Sequence, residues 1–478
     1  MRSPRKSGQF SVSLMCGIGL ATISLVMTPT ATAGQTGQPQ SQVTYTRDVA
    51  PILQRSCENC HRQGGVGPMS LSSYEQVRPW ARAIKLKTSA HEMPPWFIEK
   101  NVGIQKFKDD PSLSDAEIAT IASWVDSSAP QGDPADMPRP RQFPVVGLWN
   151  YGTPDLIVSS PVVSIKAEAS DWYGDIGFTP TGLTEDRYIK AVEVREFRPQ
   201  EQRFGRVEGR NQGDLNLFTV HHISVTTVPP GVRSNEESSG TTGDAGLRLP
   251  KGDFSYLFEV VQNAMIYPED IGIVLPAGSN IYYNVAHLHS IGRELPVQVQ
   301  VGFTFHPKGY KPKYDRGLSG VDLRLTELDI PGNQDNVRYD VFTTLRYSMK
   351  MVTFEPHLHA AGKRMCVEAI YPDGFREMLN CAGYNHNWVK AYVYQDDAAP
   401  LLPKGTILHV SGWYDNSSKN PRVVDPRNWR GLGDRSIDDM FFLLSRFLYY
   451  TEDEFKQEVS AREQRQKSRA TARAQNPN

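Results

Sequence analysis

Six of the chain's 11 histidines come in three pairs: His221-His222 in "VHHISV", His287 and His289 in "VAHLHS", and His357 and His359 in "EPHLHAAG". Imidazole is a ligand for zinc, copper, iron and nickel, so paired histidines raise the question of a bound metal without naming it. On a strand, residues i and i+2 share a face, so each His-x-His pair can present two rings together. Adjacent residues point to opposite faces, so His221 and His222 can share an ion only across a local twist or bulge. Taken alone, such a pair reads as one core and one exposed histidine; three pairs in one β-patterned region weigh toward metal. A second chemistry lies upstream in "SCENCHRQ", where Cys57-x-x-Cys60-His61 is the attachment pattern of a c-type haem, two thiols for the porphyrin and a histidine for its iron.

The elements that must position these residues fall into compositional units. At 478 residues the chain has room for two or three domains, and its net charge of −1 gives no reason to expect a nucleic-acid partner. Arg2, Arg5 and Lys6 precede an apolar run that ends in Ala31-Thr32-Ala33, which reads as a secretory signal over residues 1–33 cleaved after Ala33. The mature protein is then periplasmic or secreted, and no later stretch is apolar enough to span a membrane. Cys16 leaves with the signal. Cys57, Cys60, Cys366 and Cys381 remain in an oxidising compartment, where each is expected to be covalently used.

Residues 41–135 carry helical periodicity: Ser114 is an N-cap, Glu117 its capping-box partner, and Ile118, Ile121, Ala122 and Val125 share a face. The proline-rich run around residues 136–145 reads as a linker. Short alternating runs then predict two β-sandwich domains, residues 146–312 and 313–455. Residues 456–478 are polar and charged, and disorder or a frayed helix is expected. Asp373-Gly374 is a two-residue hairpin turn, and counting outward from it sets Cys366 opposite Cys381, close enough for a disulfide; two free core thiols are the alternative.

"HEMPPWF" resembles the methionine loop of class I cytochromes c, which makes Met93 the expected sixth haem ligand, with Met69 and His91 as competitors. The order "VHHISVTTVPPG", "VAHLHSIGRE", "EPHLHAAGKRM", "GWYDNSSKNP" and "GDRSIDDMFF" resembles the type-2 copper monooxygenases, the family of peptidylglycine α-hydroxylating monooxygenase and dopamine β-hydroxylase. Bacterial relatives carrying an N-terminal cytochrome c domain are more similar still. The resemblance extends from about residue 43 to 452. It implies a small all-α cytochrome c domain followed by two all-β jelly-roll-like sandwiches, and two copper ions. His221, His222 and His287 would hold the electron-donating copper, with His289 as an alternative third ligand; Leu288 stands where relatives often carry tyrosine. His357, His359 and Met440 would hold the oxygen-activating copper, and a thioether beside two imidazoles favours Cu(I) over zinc. His306, His386 and His409 lack partners at useful spacing and read as structural or surface residues.

The resemblance implies hydroxylation of a substrate C–H bond by O2, with a small-molecule or peptide-like substrate. The fused haem motif adds the expectation that haem c relays electrons from a periplasmic donor to copper. The competing reading is a periplasmic c-type cytochrome whose β domains hold metal for electron transfer without hydroxylation.

Overall fold

Alternation of apolar and polar residues makes most of this chain β-sheet, with a few short helices ahead of the sheets. The computed structural model describes residues 42–62, 67, 69–142, 149, 152–198, 219–229, 254–259, 264–290, 292, 294–433, 435 and 437–475. The expected signal over residues 1–33 lies outside them. Val43–Asn478 forms one compact unit. Among the described residues no helix is long and apolar enough to cross a membrane.

The helices α1 (Ala50–Ser56), α2 (Tyr74–Val77), α3 (Ala81–Ser89) and α4 (Asp115–Asp126) close around Tyr45, Leu53, Ile121 and Trp124. The expected capping box starts α4: Glu117 N–H donates to Ser114 Oγ at 3.2 Å, and Ser114 N–H donates to Glu117 Oε2 at 2.8 Å. The buried face is turned toward Trp124, whose indole N–H donates to the Pro130 carbonyl at 2.9 Å, while Ile118 and Val125 sit at its margin. Between α3 and α4 the chain leaves this core and docks on the second β region. Ile98 bridges Ala382, Phe107 bridges Tyr394, and Trp96 meets Tyr392 edge-on at 4.9 Å. Arg364 and Glu99 form an ion pair across the same contact.

In the first β region one sheet has Leu295–Phe305 and Arg187–Phe197 at its centre, in register Val301↔Val194. The other pairs Asn280–Leu288 with Val220–Val228 and the latter with Ser255–Glu259. Ile223, Val225, Ile281 and Tyr283 from the second sheet and Val192, Val299, Val301 and Phe303 from the first make one apolar core. The second β region centres on a sheet of Gln334–Thr344, Ile407–Asn416, Gly362–Ile370 and Arg376–Gly383. Val352, Leu448 and Tyr450 of this region join the first core, so the two regions share apolar contact.

Of the two readings of the tail, disorder or a frayed helix, the described residues show the helix, Glu452–Gln475. Its start carries a capping box that the polar composition concealed, with Glu454 N–H donating to Thr451 Oγ1 at 3.3 Å and Thr451 N–H donating to Glu454 Oε2 at 2.8 Å. Arg316 binds Glu454 at 2.6 Å and Lys313 binds Glu458 at 3.1 Å, which anchors the first turns.

Cys366 and Cys381 are disulfide-bonded, with Cα atoms 4.0 Å apart. The turn differs from a two-residue hairpin. The Tyr371 N–H donates to the Phe375 carbonyl and the strands pair as Ile370↔Arg376, one residue off the count from Asp373-Gly374. A bulge between Val367 and Glu368 restores the opposition of the cysteines. Closing a loop of this length, a sequence separation of 15, stabilises by about 3 kcal/mol. Replacing both cysteines by serine is therefore expected to lower the unfolding free energy in urea by about that amount.

Candidate metal centre

The strand that carries His221 and His222 is regular up to Ser224, which pairs with Asn284; His222 then pairs with His287 and Val220 with Leu288. Each strand thus accommodates extra residues. On the partner strand Val285 takes φ +48°, left-handed backbone that a β-branched residue rarely adopts. On the first strand His221 is the residue left over between two pairs. This double irregularity turns neighbouring imidazoles to one side, with their Nδ1 atoms 3.4 Å apart. His221, His287 and His289 bring ligand atoms within 4.8 Å of one another, as do His221, His222 and Glu259.

Asp171 orients this set. One carboxylate oxygen meets His287 Nε2 at 3.1 Å and the other meets His289 Nδ1 at 3.0 Å. Tyr173 stacks on the His287 ring at 4.2 Å. Both His287 and His289 remain in reach of an ion shared with His221, so the set admits either as third ligand; His287 is the buried one, at 1% exposure.

His357 lies on the short strand Pro356–His357, paired with Phe442–Leu443 as His357↔Phe442. His359 follows it, buried, with Nδ1 at 3.1 Å from the Arg435 carbonyl. That bond places the ring proton on Nδ1 and leaves the Nε2 lone pair to a ligand. Met440 is half-buried, and Tyr414 O–H holds its carbonyl at 2.6 Å. The strand pairing ends at His357↔Phe442, two residues short of both His359 and Met440.

The two histidine sets meet. His386 stands between them, its ring 4.8 Å from His359 and 5.2 Å from His221. On the other side Glu259 Oε1 lies 3.9 Å from His357 Nδ1 while its strand neighbour is His222. Imidazoles bound to one ion at 2.0–2.1 Å with tetrahedral angles have ring centroids roughly 5 Å apart. The His221–His222, His221–His287, His222–His287 and His357–His359 separations are 5.5, 4.9, 5.1 and 5.4 Å. His357 Nδ1, His386 Nε2 and Glu259 Oε1 are buried without a hydrogen-bond partner, an arrangement costly for a fold unless an added group satisfies them. The residues therefore fit a metal centre.

Two members escaped the sequence reading. His386 was expected to be structural or surface; it is buried at the middle of the cluster, and a lone histidine in "GYNHNW" carries no spacing signal. Glu259 had one, an acidic residue within the apolar run "SYLFEVV".

The haem motif has a different setting. Cys57 and Cys60 are unbonded thiols, and His61 Nδ1 is 3.3 Å from the Met69 carbonyl. Gly67 packs so close on His61 that a Cβ there would sit 2.5 Å from Nδ1. Met69 thus meets His61 through its backbone. Met93 and His91 both line a cavity of ≈350 Å³ together with Trp96, Leu113 and Ile118, and Cys57, Cys60 and His61 are not among its lining residues.

No protein-family model and no curated protein matches the chain. Solved structures that it is similar to include the cowpea mosaic virus top component, at 8% identity over 62% of this chain and 90% of that one, with a TM-score of 0.28. A human norovirus GI.7 Houston strain virus-like particle follows at 10% identity, 62% and 74% coverage and a TM-score of 0.14. A Bacillus subtilis oxalate decarboxylase variant gives 9% identity, 55% and 78% coverage and a TM-score of 0.11. Likeness at that level carries no argument about this chain.

Burial, and then the neighbouring imidazoles, push His221 down to about 3 and His222 to about 2. Burial likewise lowers His359 to about 4 and holds His357 and His386 well below the ordinary histidine range. At neutral pH these rings are unprotonated and open to metal. A folded-state pKa below the unfolded 6.5 means that the unfolded chain binds more protons, so stability present above pH 6.5 is lost on acidification, up to about 1.4 kcal/mol per pH unit for each ring. Glu259, Glu355, Glu58 and Asp439, all raised by burial, act in the opposite sense between their unfolded and folded values, and they are outnumbered by the lowered histidines, which also include His61, His287 and His306. The metal-free protein is expected to lose thermal stability steeply from pH 6.5 to 4; a flat melting profile over that range would contradict the buried cluster.

Proposed function

We propose that the protein is an exported haem c and copper monooxygenase, similar to the type-2 copper monooxygenases, that hydroxylates a C–H bond with O2. The observation that carries this reading is the meeting of His221, His222 and His287 with His357 and His359 across two β regions, with unprotonated rings and orphaned nitrogens at their contact. His221, His222 and His287 would hold one copper, and His357, His359 and Met440 the other. Copper at these sets would supply one-electron chemistry and the activation of O2.

The chain's own residues set the terms of that chemistry. Asp171 and the Arg435 carbonyl fix ring orientation and tautomer, which sharpens the donor set and raises ligand basicity. Phe442 packs 6.2 Å from the His357 ring and gives that side an apolar wall. The Met440 thioether is the soft donor that separates this set from a zinc site. The overall conversion is R–H + O2 + 2 electrons + 2 protons to R–OH + H2O.

For the electrons, Cys57, Cys60 and His61 would hold haem c, with Met93 as its sixth ligand in a small all-α cytochrome domain. The docking of residues 96–108 on the second β region supports a fixed distance between the haem motif and the histidines. Lys390 lies within electrostatic reach of Cys60 and over the Trp96 ring at 5.5 Å. Three residues lie between His386 and Lys390, a span of at most about 14 Å of chain.

Metal analysis of the exported protein is expected to give one haem and two copper per chain. His357→Ala should lose one copper and more than about 100-fold of hydroxylation, while flash-reduced haem should reoxidise faster in copper-loaded than in copper-free protein. Zinc in place of copper removes the monooxygenase reading. Electron transfer from haem to copper without product hydroxylation leaves an electron carrier.

A further inference from the structure

We propose that the Glu259 carboxylate is an oxygen ligand of the copper held by His221 and His222, and that it biases this copper toward the oxidised state. This rests on the copper reading above and adds a residue outside the six that the resemblance implies.

Strand pairing puts Glu259 in line with the histidines. Ser255–Glu259 runs beside Val220–Val228 in unbroken register, with Ile223↔Phe258 and His222↔Glu259, and on its other side His222 pairs with His287. His287, His222 and Glu259 therefore form one row across three strands, and directly opposed side chains in such a row stand roughly 4.5–5.5 Å apart at Cβ. Ile223 and Phe258 belong to the first apolar core, so alternation turns His222 and Glu259 to the opposite face. Ligand atoms of His221, His222 and Glu259 lie within 4.8 Å of one another. The Nδ1 atoms of His221 and His222 are 3.4 Å apart, which matches the roughly 3.3–3.6 Å between two donors on one tetrahedral ion.

Among the described residues no cationic side chain pairs with this carboxylate. Glu259 is 2% exposed, and its Oε1 is buried without a hydrogen bond. The ring nitrogen that approaches it, His357 Nδ1, stands at 3.9 Å, too far to hydrogen-bond and on an imidazole that burial keeps neutral. Glu355 acts on it as a like charge. A buried carboxylate is otherwise kept in folds by pairing or by holding a metal, and an ion at His221 and His222 supplies the missing positive charge. Its binding displaces the proton that burial alone favours.

The donor type carries a consequence for electron flow. An anionic oxygen favours Cu(II), whereas a thioether such as that of Met440 favours Cu(I). The two sets then differ in the direction that sends an electron from the His221–His222 copper toward the other.

The experiment loads the full chain with copper and compares wild type with Glu259→Gln by Cu(II) and Cu(I) affinity and by EPR, with ENDOR on protein carrying isotope-labelled glutamate carboxylates. In the wild type a carboxylate-carbon coupling is expected at one Cu(II). Glu259→Gln, which keeps the shape and removes the charge, should lose that coupling and bind Cu(II) at that site at least tenfold more weakly, with Cu(I) affinity nearly unchanged. A tenfold change in that ratio raises the copper potential by about 59 mV. Folded Glu259→Gln protein with wild-type affinities, or copper-loaded wild type without the carboxylate coupling, overturns the ligand role and leaves the two-copper reading standing. Equal weakening of both oxidation states overturns the redox bias. If Glu259→Gln does not fold, the coupling in the wild type decides. A wild type that takes up no copper overturns both readings.

Discussion

Everything in this molecule turns on the cost of burying imidazole. Seven histidine rings gather where the β regions meet, and for five of them, His221, His222, His357, His359 and His386, desolvation and the neighbouring imidazoles disfavour the protonated form. Neutral rings avoid the charge penalty but still bring nitrogens that need partners. Asp171 and the carbonyl of Arg435 satisfy some of them. The rest stay unsatisfied within the protein, and a fold tolerates such groups where a further group completes them.

The sheets are shaped by that requirement. A regular ladder would have sent His221 and His222 to opposite faces, one into the core beside Ile223 and one outward. Irregularities on both strands, one of them enforced by left-handed backbone at Val285, break the alternation for just the residues that need it. Below Ser224 the strand returns to regular pairing and its apolar residues fill the core. The departure from local regularity is confined to the cluster, as expected where function competes with packing.

Much of this was legible in the sequence. The His-x-His spacings, the capping box at Ser114, the β texture after the prolines and the cysteine pair each rest on short-range rules, and the structure shows the corresponding elements. The illegible parts depend on tertiary placement. His386 has no neighbour at a useful spacing and joins the cluster only because the 376–394 segment folds back over it. The hairpin turn between the cysteines has a different length from the Asp-Gly count, and a bulge compensates. The C-terminal helix was one of two readings the tail allowed, and what decides for it is tertiary: Arg316 and Lys313 on a distant segment, and Phe455 against the first core.

That same segment, 376–394, lies between the histidine cluster and the chain that follows the Cys57-x-x-Cys60-His61 motif. Its outer strand takes the Glu99 and Ile104 amides into its own hydrogen bonding, its disulfide ties that strand to Gly362–Ile370, and its final turns carry His386 and then Lys390. Because the His357–His359 turn leads directly into Gly362–Ile370, the disulfide fixes the strand that positions one histidine pair against the strand that receives the haem-motif region. Rigidity between the two is therefore covalent on one side and apolar on the other, through Trp96, Phe107, Tyr392 and Tyr394. A histidine cluster built from two β regions needs such a brace, since its residues come from strands that no single sheet holds in register.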